Sequence, residues 1–222
     1  MYDDKDLQKH YDKEYFSGRF RPALWKRRAE FIIEKFHPST TLDIGCSYGE
    51  LVQFLNDFGV DAYGIDGSDY VLSQTDKSIK SKVFKVNFNE DKFPFKDDFF
   101  DCITGYYVIE HIHNFKFFAE ELHRTLKPNA FAWFLTPDIG KEGRNQFDVF
   151  TNTYEEWAQI FSKFGFSVKK FSPHEMLALK GKLKKFQFYR MPKKIQNIIK
   201  KVAYGYSNKT SMKDTSFIVT KI

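Results

Sequence analysis

The stretch Thr41-Leu42-Asp43-Ile44-Gly45-Cys46-Ser47-Tyr48-Gly49-Glu50-Leu51 constrains the fold more than any other part of this chain. Residues 41–44 read as a short buried strand and residues 50–58 as the helix that follows it. The turn between them is built on Gly45, Ser47 and Gly49. Two glycines and a serine leave the backbone nearly bare, so a ligand can lie against it. A strand-to-helix turn of this kind is the usual ligand crevice of a parallel α/β sheet. The next strand, residues 60–65, ends on Asp66, about 20 residues past Gly45, where a carboxylate can pair its two oxygens with the two hydroxyls of a ribose. Dinucleotide binding requires G-x-G-x-x-G. Here the spacing is Gly45-x-x-x-Gly49 with no glycine three residues on, which argues against a nicotinamide dinucleotide.

Strand and helix signals alternate along most of the chain, the pattern of an α/β sheet. Helices are expected over residues 6–16 and 22–36, joined at Ser17-Gly18, with Pro22 suited to a first helical position. Ser68 or Asp69 can cap a helix through about residue 79. Strands follow at 82–86 and 100–106. A helix over 115–127 carries Phe118, Leu122 and Leu126 on one face and stops at Pro128. Then come a strand at 131–136 closed by Pro137, a helix at 154–164 ending on Gly165, and strands at 166–171 and 215–220. The 26 phenylalanines predict a Phe-rich core.

The pattern Asp43-x-Gly45-x-Ser47-x-Gly49 resembles motif I (D/E-x-G-x-G-x-G) of class I S-adenosylmethionine-dependent methyltransferases. Phe93-Pro94-Phe95, Phe99-Phe100-Asp101, Val108-Ile109-Glu110-His111-Ile112 and Leu122-His123-Arg124-Thr125-Leu126-Lys127-Pro128 follow in the order of that family's later signatures, in its small-molecule or type 11 branch. The resemblance covers roughly residues 41–171. It departs at Ser47, which replaces the middle glycine, and at Asn129-Ala130, which replace Gly-Gly. It implies a Rossmann-like, doubly wound, seven-stranded sheet, mostly parallel, with an antiparallel last strand inserted beside the sixth. Residues 1–38 would form a helical cap, 39–171 the cofactor-binding core, 172–213 a basic helical insert and 214–222 the last strand of one domain. The implied cofactor is S-adenosylmethionine, leaving as S-adenosylhomocysteine. Asp43, Gly45, Cys46, Ser47, Gly49 and Gly67 would line it, with Asp66 at the ribose. Asn87, with Asn89 as a rival, would meet the adenine amino group while Phe88 stacks on the ring. Tyr106 and Tyr107 would lie beside the sulfur, and Tyr11, Tyr15, Arg21 or Arg28 would reach the methionine carboxylate.

The charge of the chain sets a second expectation. Residues 172–213 hold eleven lysines and arginines against Glu175 alone, although the whole chain carries only +6. Residues 191–202 read there as a basic amphipathic helix with an Ile195, Ile198, Ile199 and Val202 stripe. A solvated face, a contact with a membrane surface or a lipid-linked acceptor through residues 180–202, and nucleic-acid binding through Phe186, Phe188 and Tyr189 are the three readings of this segment. Cys46 and Cys102 read as reduced buried thiols. No apolar run approaches the ~20 residues of a membrane span, and residues 1–5 do not open a signal peptide. A cytoplasmic protein, peripheral at a membrane if the basic segment binds one, is the expectation.

A methyl on a sulfonium is already activated, so a protein of this family needs no nucleophile of its own and must align the acceptor. A hydroxyl acceptor also needs a base. His111, after the fourth strand, is the candidate, since imidazole titrates near neutral pH. Glu110, His111 and His113 do not share a helix face, so no metal is expected. The function expected is methyl transfer to a small-molecule, glycan or lipid-linked acceptor at oxygen, a glycan sugar or quinone-type head group fitting the branch. The alternatives are a tRNA or RNA methyltransferase using the basic insert, and a non-catalytic adenosyl-binding module.

Overall fold

Alternating side chains of the strands sort into two buried layers. On β1 (Thr40–Ile44), Leu42 and Ile44 face one side of the sheet while Thr41 and Asp43 face the other. The computed structural model describes residues 21–137, 152–171, 192, 194 and 214–222. The expected helices at 6–16 and 191–202, Tyr11, Tyr15 and nearly all of the 172–213 insert lie outside these residues.

Seven strands form one sheet in the order β3-β2-β1-β4-β5-β7-β6. β2 (Asp61–Asp66), β3 (Val83–Lys85), β4 (Phe100–Tyr106) and β5 (Leu126–Pro137) run parallel with β1, and β7 (Asp214–Lys221) lies antiparallel between β5 and β6 (Phe166–Lys170). This is the doubly wound sheet expected from the sequence, with its reversed last strand beside the sixth. Helices α1 (Pro22–Phe36), α2 (Glu50–Asp57) and α3 (Asp69–Gln74) bury Phe31, Ile32, Leu51, Leu55 and Val71 on one face. On the other face, α4 (Phe115–Thr125) and α5 (Tyr154–Ser162) bury Phe118, Leu122, Trp157 and Phe161 against Phe134 and Phe217. The core is Phe-rich, as the composition predicts.

Local chemistry explains the boundaries. Asn114 caps α4 by accepting from the N–H of Phe117, and Thr153 with Glu156 forms a capping box on α5. Arg124 donates to the carbonyls of Phe93 and Phe95 at 3.0 and 2.7 Å, and the Glu121 carboxylate accepts from the N–H of Phe93 at 2.8 Å. The Phe93-Pro94-Phe95 and Leu122–Pro128 signatures are therefore halves of one structural clasp.

Four expected helices end early, those at 50–58 and 154–164 by one and two residues and two others where the contacts show why. The one at 68–79 stops at Gln74, because Thr75 turns extended and the Asp76 carboxylate accepts from the N–H of Ser78 to open a separate 3-10 turn, Lys77–Lys82. The one at 115–127 stops at Thr125 rather than Pro128, because Leu126 already pairs with Phe100 as the start of β5.

Candidate functional site

Three residues of the turn after β1 hold left-handed backbone: Gly45 (φ 71°), Ser47 (φ 51°) and Gly49 (φ 80°). A Cβ on Gly45 would lie 3.1 Å from Val108, and one on Gly49 would lie 2.7 Å from the tip of Ile79, so crowding adds to the backbone's preference for glycine there. Ser47, at the position of the motif's middle glycine, is itself left-handed. The N–H groups of Gly45 and Cys46 both donate to Ile65 O, at 2.8 and 3.1 Å, which pins the turn to the end of β2.

Asp66 closes β2 and joins the two strand ends. Its Oδ2 accepts from the N–H of Ser47 and its Oδ1 from the N–H of Ser68, both at 2.9 Å. Burial pushes its carboxyl up, and the N–H groups of Ser68, Ser47 and Gly67 oppose that. The predicted ribose ligand is thus also the brace of the turn, a role its sequence position does not reveal. Beside it Gly67 is bare without being crowded, since a Cβ there would meet nothing nearer than Val86 O at 3.6 Å.

Asp43 lies beneath the turn and accepts from Thr104 Oγ1 on β4 at 2.7 Å. Burial pushes its carboxyl up to about 7, against the Thr104 bond and the nearby Arg28 guanidinium, while Asp66 and Glu50 add to the rise. Glu50, the first residue of α2, is also buried, and its Oε1 accepts from the N–H of Arg21 at 3.0 Å. Burial lifts Glu50 to about 7 as well. Glu50 thereby ties the start of α1 to the cofactor turn, a contact between residues too far apart in sequence to be read there.

Arg28 is buried with its guanidinium carbon 4.1 Å from the Tyr106 ring centre and 4.5 Å from that of Trp25. The Tyr106 hydroxyl is buried at the carboxyl end of β4 and has no hydrogen-bond partner among the described residues. The Cys46 thiol turns away from the crevice into the core, against Gly64, and burial pushes it up, so only its backbone lines the turn. Asn87 follows β3 at the same sheet edge, with its Nδ2 donating to Glu90 Oε1 and its Oδ1 accepting from the N–H of Asn89. Asn89 Oδ1 instead accepts from the N–H groups of His113 and Asn114, at 2.8 and 2.9 Å, so it belongs to the start of α4. Phe88 packs against the core beneath. His111 ends the 3-10 turn Ile109–His111 just after β4, next to Glu110, whose buried carboxylate accepts from Thr136 Oγ1 at 3.0 Å.

The carboxyl ends of β1, β2, β3 and β4 thus gather a bare turn, a buried carboxylate row, a buried cation and an unsatisfied phenol. These residues fit an adenosyl amino-acid cofactor: carboxylate for ribose, bare backbone for close approach, and a guanidinium and phenol for a charged tail. A groove of about 430 Å³ bordered by Asp98, His123, Arg124 and Lys221 lies at the opposite edge. Arg124 there pairs with Glu121 and Asp97, and Lys221 with Asp98, so the strand-end crevice is the better candidate site.

Comparison with known proteins agrees. Residues 17–170 match the model of a family described as "Methyltransferase domain". A 2-phytyl-1,4-naphtoquinone methyltransferase of Nostoc sp. is 29% identical over 142 residues, 60% of this chain; the match spans only 59% of that relative's length. An S-adenosylmethionine-dependent methyltransferase of Archaeoglobus fulgidus superposes with a TM-score of 0.61 at 17% identity, covering 93% of this chain and 97% of that one. An O-methyltransferase of Brevibacillus brevis, in complex with S-adenosyl-L-homocysteine, does so with a TM-score of 0.56 at 18% identity, covering 88% of this chain and 70% of that one. The chain belongs to the methyltransferase-domain family of S-adenosylmethionine-dependent enzymes.

Proposed function

We propose that this chain transfers a methyl group from S-adenosylmethionine to a hydroxylated small molecule of the quinol class, at a ring oxygen. The observation that carries the cofactor half is the convergence of Asp43, the 45–49 turn and Asp66 at adjoining strand ends. The class of the acceptor, though not the atom methylated, is supported by the Nostoc relative, whose name specifies a naphthoquinone.

The cofactor supplies an electrophilic methyl. The residues of the chain supply position and proton handling. Asp66 and Gly67 would hold the ribose, Asn87 and Phe88 the adenine edge and face, and Arg28 with Tyr106 the amino-acid end. His111 ends the 3-10 turn just after β4, and its imidazole would take the hydroxyl proton as the oxygen becomes nucleophilic. An acceptor bearing a lipid tail would be met at a membrane surface by the basic stretch 180–202.

The test starts with calorimetric titration of S-adenosylhomocysteine into the protein, followed by incubation with S-adenosylmethionine and reduced 2-phytyl-1,4-naphthoquinone. Binding and an O-methylated product, located by mass and NMR, are expected. A folded protein that binds no S-adenosylhomocysteine would overturn the whole reading, whereas a ring-carbon methyl would overturn the oxygen assignment alone.

A further inference from the structure

Tyr107 stands one residue beyond β4, at the carboxyl edge of the sheet, with its backbone at φ 57°. A bulky aromatic residue in the left-handed region is a genuine outlier, and such strain costs on the order of 1–3 kcal/mol. Glycine or asparagine would take that backbone more easily, yet the chain carries tyrosine. Its N–H donates to Leu135 O at 2.7 Å, so the conformation is fixed by β5 rather than left to a loose loop.

The ring is not held there by burial, for it is 40% exposed. Among the described residues the other exposed large apolar side chains are Phe58, beside the turn after α2, and Ile222 at the chain end. The Tyr107 ring is nevertheless aimed. Its hydroxyl donates to Asp214 Oδ2 at 2.8 Å, across 107 residues of sequence. Asp214 is the first residue of β7 and pairs with Pro137, the last of β5. An exposed aromatic face, strained at its backbone and fastened at its phenol, is a pre-organised wall. It adjoins Tyr106 of the cofactor crevice and lies on the same edge as the 3-10 turn that carries His111.

We propose that Tyr107, fastened by Asp214, is the positioning residue against which a planar, hydroxylated aromatic acceptor stacks. This rests on the methyltransferase reading above and deepens it to the acceptor side. A flat ring gains most from a flat rigid neighbour, with paired aromatic faces worth roughly 0.5–1.5 kcal/mol beyond the area they bury. The bond from the Tyr107 hydroxyl to Asp214 Oδ2 holds the ring at a fixed angle for such stacking. An aliphatic acceptor would not gain from that flat face.

The experiment uses the full chain and the variants Y107F, Y107G and D214N. S-adenosylhomocysteine affinity is measured first by calorimetry, then the binding of 1,4-naphthoquinol to the protein saturated with S-adenosylhomocysteine, and thermal melting alongside. Cofactor affinity is expected to fall by less than naphthoquinol affinity in every variant. Naphthoquinol affinity should fall about tenfold or more in Y107G and a few-fold in Y107F and D214N. The melting temperature of Y107G should hold or rise, because glycine relieves the strained backbone. A marked drop in Y107G melting would make Tyr107 a structural residue and overturn the proposal. So would naphthoquinol binding indifferent to Tyr107, or a wild type that binds S-adenosylhomocysteine and no naphthoquinol. Loss of S-adenosylhomocysteine binding by the wild type would instead strike the underlying methyltransferase reading.

Discussion

Asp43 on β1 accepts a hydrogen bond from the Thr104 hydroxyl on β4 at 2.7 Å, and neither side chain is exposed. Burial holds the Asp43 carboxyl near 7, against 3.8 as its ordinary value, so over that window the folded chain keeps a proton that the unfolded chain has released. The stability this contributes is complete below about pH 4 and is lost as pH rises through about 7. D43N cannot ionise. The wild type should therefore lose stability relative to D43N by up to about 1.4 kcal/mol per pH unit across the window. Urea denaturation of both proteins from about pH 5 to 8 reads this directly. A difference independent of pH would mean that Arg28 keeps Asp43 ionised throughout.

Gly67 separates ligand contact from fold more cleanly than the turn glycines do. A Cβ there meets only Val86 O, at an ordinary 3.6 Å, whereas one on Gly45 would strike Val108 in left-handed backbone. G67A should melt no lower than wild type, gaining up to about 1 kcal/mol through a less flexible unfolded chain. If the cofactor ribose lies against that backbone, S-adenosylhomocysteine affinity should still fall about tenfold. Calorimetry of G67A, with melting as the control, decides it, and unaltered affinity would move the ribose away from the end of β2.

Asp66 requires a graded substitution, because its carboxylate braces the Ser47 and Ser68 N–H groups as well as facing the crevice. D66A should weaken S-adenosylhomocysteine binding by roughly 1.5–3 kcal/mol and lower stability by about 1–3 kcal/mol. D66N retains one oxygen and should lose less of both. Equal binding losses in the two variants would identify the charge as the binding determinant. No binding loss in either would leave Asp66 as a brace alone.

The sequence carried the sheet and the centre of the site because both are local patterns. Gly45, Gly49 and Asp66 stand on one strand-turn-helix-strand unit, whose spacing survives in any such fold. The contacts it did not carry join residues with no sequence relation. Glu50 meets the N–H of Arg21, Asp43 meets Thr104, and Tyr107 meets Asp214. Helix ends failed for a related reason: Leu126 suits a helix in isolation, but its pairing with Phe100 makes it a strand. Cys46 looked like a ligand by position, and the density of side chains around Gly64 puts its thiol inside.

His111 follows Val108 in a turn fixed by its own N–H donating to Val108 O at 3.0 Å, so its backbone position is set by the fold. If its imidazole takes the acceptor proton, H111A should lower kcat by about 100- to 10,000-fold while leaving S-adenosylhomocysteine affinity unchanged. The kcat profile of the wild type should also fall on the acid side as the imidazole gains a proton, and that limb should vanish in H111A. Measuring kcat against pH for both proteins distinguishes this from packing, which would lower activity and melting together and leave the limb in place.

Asn129 and Ala130 depart from the Gly-Gly of the motif that the sequence resembles, a departure that invites the reading of a disabled enzyme. Asn129 adopts φ 62°, inside the irregularity where β5 leaves its pairing of Leu126 with Phe100 and resumes with Phe131 opposite Cys102. Asparagine tolerates this backbone better than any side chain with a branched Cβ. N129G should therefore change stability by less than about 0.5 kcal/mol, while N129V should cost about 1–3 kcal/mol. Ala130 is buried, so A130G should lose about 0.5–1 kcal/mol through added freedom in the unfolded chain. The bulge lies at the amino end of the sheet and the crevice at the carboxyl ends, so none of the three should shift S-adenosylhomocysteine affinity. Melting and calorimetry on the set would show the departure to be a neutral exchange in a turn, and a loss of cofactor affinity in N129V at preserved stability would instead connect this turn to the site.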